Sequence, residues 1–332
     1  MGAASGSRKV LSKGRSPDCR TNNATYNWNE HYPTDWRPSL TTLKSPMLTP
    51  STPAIHWDDP TREAAFGDWL AHVATTHHLD TSSLCVASAD ASFRRYFRIL
   101  GPAQSSAIIM DAPPDKENSE PFVRIAKLLT DANLPAPHVL AWDEAQGFML
   151  LTDLGQHTLL DVLRTPEANA PVAGAPFAEP RVARALMEAA VDLLIQWQLA
   201  SKPHTLPPYD DALLRRELQL FPDWYVQKHK GITLDAGQQA ALTLSFERII
   251  ATNLDAPQVF VHRDYMPRNL LVDRSGSLGI VDFQDAVMGP VTYDIASLMR
   301  DAFWTWDDDF VMDITIRYWE RARKKGLLNH AD

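Results

Sequence analysis

The chain has 332 residues, of which 45% are apolar, and this length is enough for two lobes with buried cores. Its formal net charge of −9 leaves no general cationic surface, so nucleic acid is not an expected partner. No apolar run is long enough to span a bilayer, and the first residues lack the apolar segment of a signal peptide. We therefore expect a cytoplasmic protein with no membrane partner.

Residues 1–55 are rich in Ser, Thr, Asn and Pro and show no sustained apolar period, which predicts a disordered tail. The two cysteines, Cys19 and Cys85, are far apart and predict neither a disulfide framework nor a zinc site, as suits a reducing compartment. The folded part should start near Trp57. Just beyond it, Thr61 can cap a helix whose apolar residues recur at three- and four-residue spacing.

Short apolar runs separated by turns then predict an antiparallel sheet. The predicted strands are 84–87, 93–100, 107–110 and 148–151. Residues 122–129 have the period of a helix, and the sheet with this helix predicts a small N-terminal lobe over residues 56–155.

The stretch 165–180 is dominated by Ala and Pro and predicts a flexible insert. After it, Leu186, Leu193 and Trp197 lie on one face of a long predicted helix, and the rest of the chain is mostly helical in pattern. The expected fold is α+β and two-lobed, with a C-terminal lobe over residues 156–332.

Most of the chemical information lies in residues 259–285, which read VFVHRDYMPRNLLVDRSGSLGIVDFQD. The pattern of strand, loop, strand, turn and strand should bring Asp264, Asn269 and Asp282 to one end of a β-ribbon. Phosphoryl transfer needs a carboxylate beside the acceptor hydroxyl and oxygen ligands for magnesium beside the phosphates. The spacing matches the kinase catalytic loop His-Arg-Asp-x-x-x-x-Asn, followed by an Asp-Phe strand end.

HRDYMPRN, together with VDFQDAVMGPVTYDIASL, resembles the aminoglycoside phosphotransferase and choline kinase superfamily, whose members are relatives of protein kinases. ASDASFRRYFR, IIMDAPPDKENSEPF, LLTDLG and YDDALLRRELQLFPDWYV are further similar to the anomeric N-acetylmuramate/N-acetylglucosamine kinases of bacterial cell-wall recycling. The resemblance implies a protein-kinase-like fold with ATP and Mg²⁺ as cofactors and a small-molecule amino sugar as acceptor.

The resemblance also implies roles for single residues. Asp264 would be the catalytic base, and Asn269 and Asp282 would complete the catalytic group as the magnesium ligands. His262 and Asp294 would support the catalytic loop rather than take part in the chemistry.

For ATP, the turn before the second strand lies where the family covers the phosphates, and it offers Ser92, Arg94 and Arg95 as donors. A plain hairpin with solvated arginines is the alternative. Adenine would meet backbone groups of Thr152, Asp153 and Leu154. The strand at 107–111 departs from most of the superfamily, because it contains no lysine for the α- and β-phosphates.

For the acceptor, we expect Arg215, Glu217 and Arg263 to contact the sugar, since an arginine can pair with a lactyl carboxylate and a carboxylate can accept from hydroxyls. An aminoglycoside or choline-type kinase is an alternative, and a nucleotide-binding pseudokinase is another. A monomer is favoured. The chain ends at Asp332, earlier than the resembling enzymes, so we expect its C-terminal lobe to be truncated.

Overall fold

The computed structural model describes residues 55–89, 93–164, 180–273 and 277–328. These residues divide into two compact units. The first contains the described residues up to Ser119 together with Val139–Asp153, and the second contains Glu120–His138 and the described residues from Leu154 onward. The predicted tail with Cys19 and nearly all of the predicted insert lie outside the described residues.

The first unit is a five-stranded sheet with one helix packed on it. Its elements are α1 (Pro60–His77), β1 (Asp80–Ala89), β2 (Arg95–Leu100), β3 (Ser106–Asp111), β4 (Val139–Asp143) and β5 (Phe148–Thr152). The strand order is β1-β2-β3-β5-β4, and each neighbouring pair is antiparallel. The predicted antiparallel sheet is confirmed, and β4 is a strand that the sequence analysis missed.

Helix α1 covers one face of this sheet. Its N-cap is Asp59, whose carboxylate accepts a hydrogen bond from Thr61 N at 2.8 Å. Thr61 therefore lies within the first turn and is not the cap that the sequence predicted. The predicted apolar spacing does form the core, in which side chains of α1 meet those of β2, β3 and β5: Phe66, Leu70, Val73, Phe97, Ile99, Ile109, Phe148 and Leu150.

The second unit is mostly helical, as predicted. Its helices are α2 (Glu120–Asp131), α3 (Leu159–Leu163), α4 (Pro180–Leu199), α5 (Asp211–Leu220), a π-helical segment (Phe221–His229), α6 (Ala236–Asp255), α7 (Tyr293–Met299) and α8 (Asp308–Lys324). Its strands are β6 (His157–Thr158), β7 (Gln258–Val261), β8 (Leu270–Val272), β9 (Leu278–Ile280) and β10 (Val287–Pro290), arranged as the sheets β6-β8-β9 and β10-β7. Within the described residues, no helix combines the length and apolar character needed to cross a membrane.

Helix α2 belongs to the second unit, whereas the sequence analysis grouped it with the N-terminal sheet. The Phe122 ring stacks on the Phe283 ring with centroids 4.9 Å apart. Beyond the helix, Pro135 O accepts a hydrogen bond of 2.7 Å from Ile280 N. These long-range contacts attach α2 and the loop that follows it to the strand that ends just before Asp282.

Candidate active site

The site is built on a β-hairpin. Strands β8 and β9 pair antiparallel, with Leu270 opposite Ile280. One step beyond this pair, Val281 N donates to Asn269 O at 3.1 Å. Asn269 and Asp282 therefore lie at the same open end of the hairpin, as its pattern predicts.

The three residues of the predicted catalytic group are in contact there. Asn269 Nδ2 donates to Asp264 O at 2.9 Å and lies 3.3 Å from Asp282 Oδ2. The other oxygen of Asp282 accepts from Gln284 Nε2 at 3.0 Å. The backbone of Asp282 has a φ of 68°, a left-handed value that turns the chain sharply at the end of the hairpin. The predicted juxtaposition is confirmed.

Asp294 holds the loop that carries Asp264. It lies in the first turn of α7, fully buried, and its carboxylate accepts from His262 N at 2.8 Å and from Arg263 N at 3.1 Å. Burial raises the pKa of Asp294 to about 7, and the two backbone donors act against that increase. The expected backbone hydrogen bonds to Asp294 are present.

His262 fixes the same loop through its ring. The side chain is buried, and Nε2 donates to Val281 O at 3.0 Å, directly before Asp282. Burial lowers the pKa of His262 to about 4, although the negative charge of Asp282 opposes this, so the ring is neutral near neutral pH. His262 links the catalytic loop to the chain at Asp282, in keeping with the supporting role expected from the sequence.

Asp264 has the electrostatic surroundings of a base. Partial burial and the negative charge of Asp282 raise its pKa, while the positive charge of Arg263 opposes the increase. A carboxylate with a raised pKa accepts a proton more readily than one in water.

The oxygen atoms at the end of the hairpin are suitable ligands for a magnesium ion whose other ligands would come from a nucleotide and water. Asp282 supplies a carboxylate, and the amide oxygen of Asn269 accepts no hydrogen bond within the described part of the chain. Hard oxygen ligands of this kind suit Mg²⁺, which keeps several ligands from water and phosphate. The described residues contain no group of three or more His, Cys, Asp or Glu placed to hold a metal, so the protein would supply only part of the coordination shell.

Arg95, predicted to contact phosphate, is engaged within the first unit. Its Nε donates to the buried carboxylate of Asp111 at 2.9 Å, and its guanidinium lies 3.8 Å from the centre of a Trp57 ring. Asp111 also accepts from Arg62 Nε at 3.1 Å. Arg95 thereby ties the end of β3 to the segment at Trp57.

The other candidates for nucleotide contacts are placed as follows. Arg94 is buried and donates to Glu117 at 3.1 Å, and Ser92 lies outside the described residues. The Asp153 carboxylate accepts from Arg98 Nε at 2.6 Å, and Thr152 ends β5. Arg98 is a buried residue that the sequence analysis did not single out. The position of Arg98 between the apolar residues Phe97 and Ile99 of β2 could have indicated a buried arginine that needs a carboxylate partner.

Gly279 on β9 lies against the Leu154 side chain. A β-carbon added at position 279 would be only 2.7 Å from that side chain, which is too close for an ordinary contact. The hairpin therefore needs a residue without a side chain beside Leu154, where the sequence analysis expected a backbone contact to adenine.

The three predicted acceptor residues separate into two sets. Glu217, on α5, accepts hydrogen bonds from Arg263 in the catalytic loop and from Tyr209. Arg215 instead donates to Glu247 on α6 at 2.7 Å and to Asp211 at 3.0 Å. Residues two apart on a helix point in different directions, so Arg215 does not join the group around Asp264. Tyr209 is not identifiable as part of this group from the sequence, because its contact with Glu217 depends on the tertiary fold.

Solved structures share this fold. An aminoglycoside phosphotransferase with ADP bound has a TM-score of 0.52 and 14% identity, covering 78% of this chain and 85% of that chain. A macrolide 2'-phosphotransferase from Brachybacterium faecium has a TM-score of 0.52 and 15% identity, covering 76% of this chain and 82% of that chain.

Curated relatives are much closer in sequence. The chain is 45% identical over 246 residues to an N-acetylmuramate/N-acetylglucosamine kinase of Pseudomonas aeruginosa, covering 74% of this chain and 68% of that protein. It is 39% identical over 266 residues to a protein with the same description from Neisseria meningitidis, covering 80% of this chain and 75% of that protein.

The model of the phosphotransferase enzyme family matches residues 83–327. The chain therefore belongs to this family, and the protein is a phosphotransferase. The family resemblance seen in the motifs of the sequence is confirmed, as is the two-lobed kinase-like fold class that it implied.

Proposed function

We propose that this phosphotransferase transfers the γ-phosphoryl group of ATP, with magnesium, to the anomeric hydroxyl of N-acetylmuramate and N-acetylglucosamine. The observation that carries the proposal is the contact of Asp264, Asn269 and Asp282 at one end of the hairpin. The choice of sugar is supported by relatives at 39% to 46% identity that are described as kinases of these two sugars. A cytoplasmic location is part of the same proposal.

In this reaction Asp264 accepts the proton of the sugar hydroxyl as the sugar oxygen bonds to the γ-phosphorus. The bond from that phosphorus to the bridging oxygen breaks, and ADP leaves with the electron pair. Asn269 and Asp282 would hold a magnesium ion that neutralises charge on the phosphates. Asp294 and His262 keep the loop around Asp264 in place, and backbone groups of Thr152, Asp153 and Leu154 are the proposed contacts for adenine.

A screen for ADP release tests the proposal. Purified protein is assayed with ATP and magnesium against N-acetylmuramate, N-acetylglucosamine, kanamycin and choline. We expect both N-acetyl sugars to be phosphorylated, and the Asp264→Asn variant to lower kcat about 100-fold while its Kd for ATP stays within about twofold.

The product identifies the hydroxyl. A phosphate on the anomeric carbon is released by mild acid, whereas a phosphate on the 6-hydroxyl survives, so phosphorus NMR before and after a short acid treatment separates the two. Turnover of kanamycin or choline without either N-acetyl sugar would refute the choice of sugar. ATP binding without turnover of any acceptor would favour the pseudokinase alternative.

A further inference from the structure

Arg263, Glu217 and Tyr209 form a line of side chains that connects α5 to the catalytic loop. Arg263 Nη2 donates to Glu217 Oε1, and Tyr209 OH donates to Glu217 Oε2. Each oxygen of the Glu217 carboxylate thus already accepts a hydrogen bond from the protein. The side chains of Arg263 and Glu217 are 24% and 21% exposed, so solvent screens this ion pair less than one on the open surface.

Arg263 reaches a second segment with the other end of its guanidinium. Nη1 donates to Asp285 O at 3.3 Å and lies 3.9 Å from the Asp285 carboxylate. Nε is buried and makes no hydrogen bond in the part of the chain that is described, so the terminal nitrogens alone hold the group. The residue next to Asp264 therefore bridges α5 and the segment that follows Asp282.

The backbone at Arg263 explains why this side chain matters for its neighbour. Its φ is 76°, a left-handed value that a residue with a β-carbon adopts only when surrounding contacts maintain it. Asp294 supplies two of those contacts, through the backbone N–H groups of His262 and Arg263. The next residue in the chain is Asp264, so the conformation at Arg263 sets the direction in which the Asp264 side chain projects.

We infer that the Glu217–Arg263 ion pair is a positioning device that holds Asp264 in its productive orientation, and that neither residue binds the sugar. Tyr209 fixes Glu217, and its ring packs on Tyr293, next to Asp294, with centroids 5.2 Å apart. The inference rests on the proposed role of Asp264 as base. Precise placement is valuable there, because a shift of about 1 Å can cost about 100-fold in rate.

Two variants test the inference. Glu217→Gln removes the charge and retains the shape, and Arg263→Gly removes the side chain while suiting a left-handed backbone. We expect each to lower kcat about 10- to 100-fold, with KM for ATP and for the acceptor within about threefold of wild type. The double variant should lose no more activity than the more severe of the two single variants, because both changes break the same contact.

An ion pair between α5 and α6 provides a matched control. Arg215 and Glu247 form an ion pair with a 2.7 Å contact on a different face of α5. Glu247→Gln breaks it without touching the catalytic loop, so its kcat should stay within about twofold of wild type. Arg263→Lys keeps the charge but loses the fork that reaches both Glu217 and Asp285, and should recover only part of the loss.

Two outcomes would overturn the inference. A higher KM for the acceptor with kcat unchanged would mean that the pair binds substrate. A lower melting temperature with kcat and KM unchanged would mean that it serves stability alone. If Arg263→Gly does not fold, Glu217→Gln decides the matter.

The choice of sugar can fail separately. If wild type phosphorylates neither N-acetyl sugar, the proposed function fails, and the variants are then compared on whichever acceptor it does phosphorylate or on hydrolysis of ATP by water. A wild type with no phosphoryl transfer to any acceptor, water included, would overturn both proposals.

Discussion

Arg263 and Asp282 both have left-handed backbone conformations, with φ of 76° and 68°, although neither is glycine. Such conformations cost roughly 1–3 kcal/mol each and persist where the surroundings fix them, which is frequent at functional sites. Here Arg263 directly precedes the proposed base in the chain, and Asp282 is one of the two proposed magnesium ligands. The residue types are a weak indicator of this geometry, since aspartate is enriched in left-handed conformations but arginine is not.

Burial of His262 should also make the stability of the protein depend on pH. Its pKa falls from about 6.5 in the unfolded chain to about 4 in the folded protein, because burial disfavours the charged ring. The unfolded chain therefore binds a proton at higher pH than the folded protein does. As a result, His262 makes the free energy of unfolding decrease as pH falls from about 6.5 to about 4. Between about pH 7 and pH 5 the loss should be about 2 kcal/mol.

His262→Gln isolates this effect, since its amide can still donate to Val281 O but does not titrate. Asp294 has the opposite dependence: its raised pKa of about 7 makes its contribution fall as pH rises, so the pH dependence of wild type alone does not isolate the effect of His262. Denaturant unfolding at both pH values is therefore compared between the two proteins. The stability advantage of wild type should shrink by about 2 kcal/mol at the lower pH, and a constant difference would contradict the prediction.

The site residues that could be predicted best from the sequence are those that lie close together in the chain. Asp264, Asn269 and Asp282 are close in the chain and are joined by one hairpin, so their contact follows from a short pattern. Glu217 and Arg263 are 46 positions apart, and their pairing depends on how α5 packs on the loop. Long-range pairs of this kind cannot be derived from the periodicity of a single chain.

At the scale of elements, the apolar periods located helices and strands well but did not assign their partners. Helix α2 shows this, since its period was evident whereas its stacking of Phe122 on Phe283 was not. Strand β4, Val139–Asp143, was missed because it is short and its four consecutive apolar residues show no alternation of polar and apolar positions. Arg94 and Arg95 looked like donors for phosphate, but the carboxylates that pair with them, Glu117 and Asp111, come later in the chain.

Asp111 connects three elements of the first unit and should matter for its stability. Its fully buried carboxylate pairs with Arg62 on α1 and Arg95 on β2. Asp111→Asn keeps the size but leaves two guanidinium groups without a counter-charge, so we expect a loss of about 3 kcal/mol in the free energy of unfolding.

Asp131→Asn is the control for this measurement. Asp131 forms a surface pair with Lys127 at 3.0 Å, so its loss should change stability by no more than about 0.5 kcal/mol. Chemical denaturation measures both variants. Equal losses in the free energy of unfolding for Asp111→Asn and Asp131→Asn would show that the buried ion pairs of Asp111 stabilise the protein no more than a surface pair does.

At the scale of the whole molecule, nucleotide binding should appear as added stability, because a ligand that binds only the folded protein raises the free energy of unfolding. At about 100 times Kd, the increase should be about 2.7 kcal/mol. The proposed metal site adds a requirement, since Asp282 and Asn269 supply only part of the magnesium shell and phosphate oxygens of the nucleotide would strengthen its binding. The stabilisation by ATP should therefore be larger with magnesium than with a chelator.

Asp282→Asn tests whether that difference originates at the hairpin. Asparagine tolerates the left-handed backbone at this position and can still accept from Asn269 Nδ2, so the fold should persist while the charged ligand is lost. Melting curves should show that the magnesium-dependent part of the stabilisation largely disappears in this variant. It should persist in Asp264→Asn, because the proposed base contacts the acceptor rather than the metal. If the magnesium-dependent stabilisation by ATP is undiminished in Asp282→Asn, the ion binds elsewhere. The proposed roles of Asp264 as base and Asp282 as metal ligand would then be wrong.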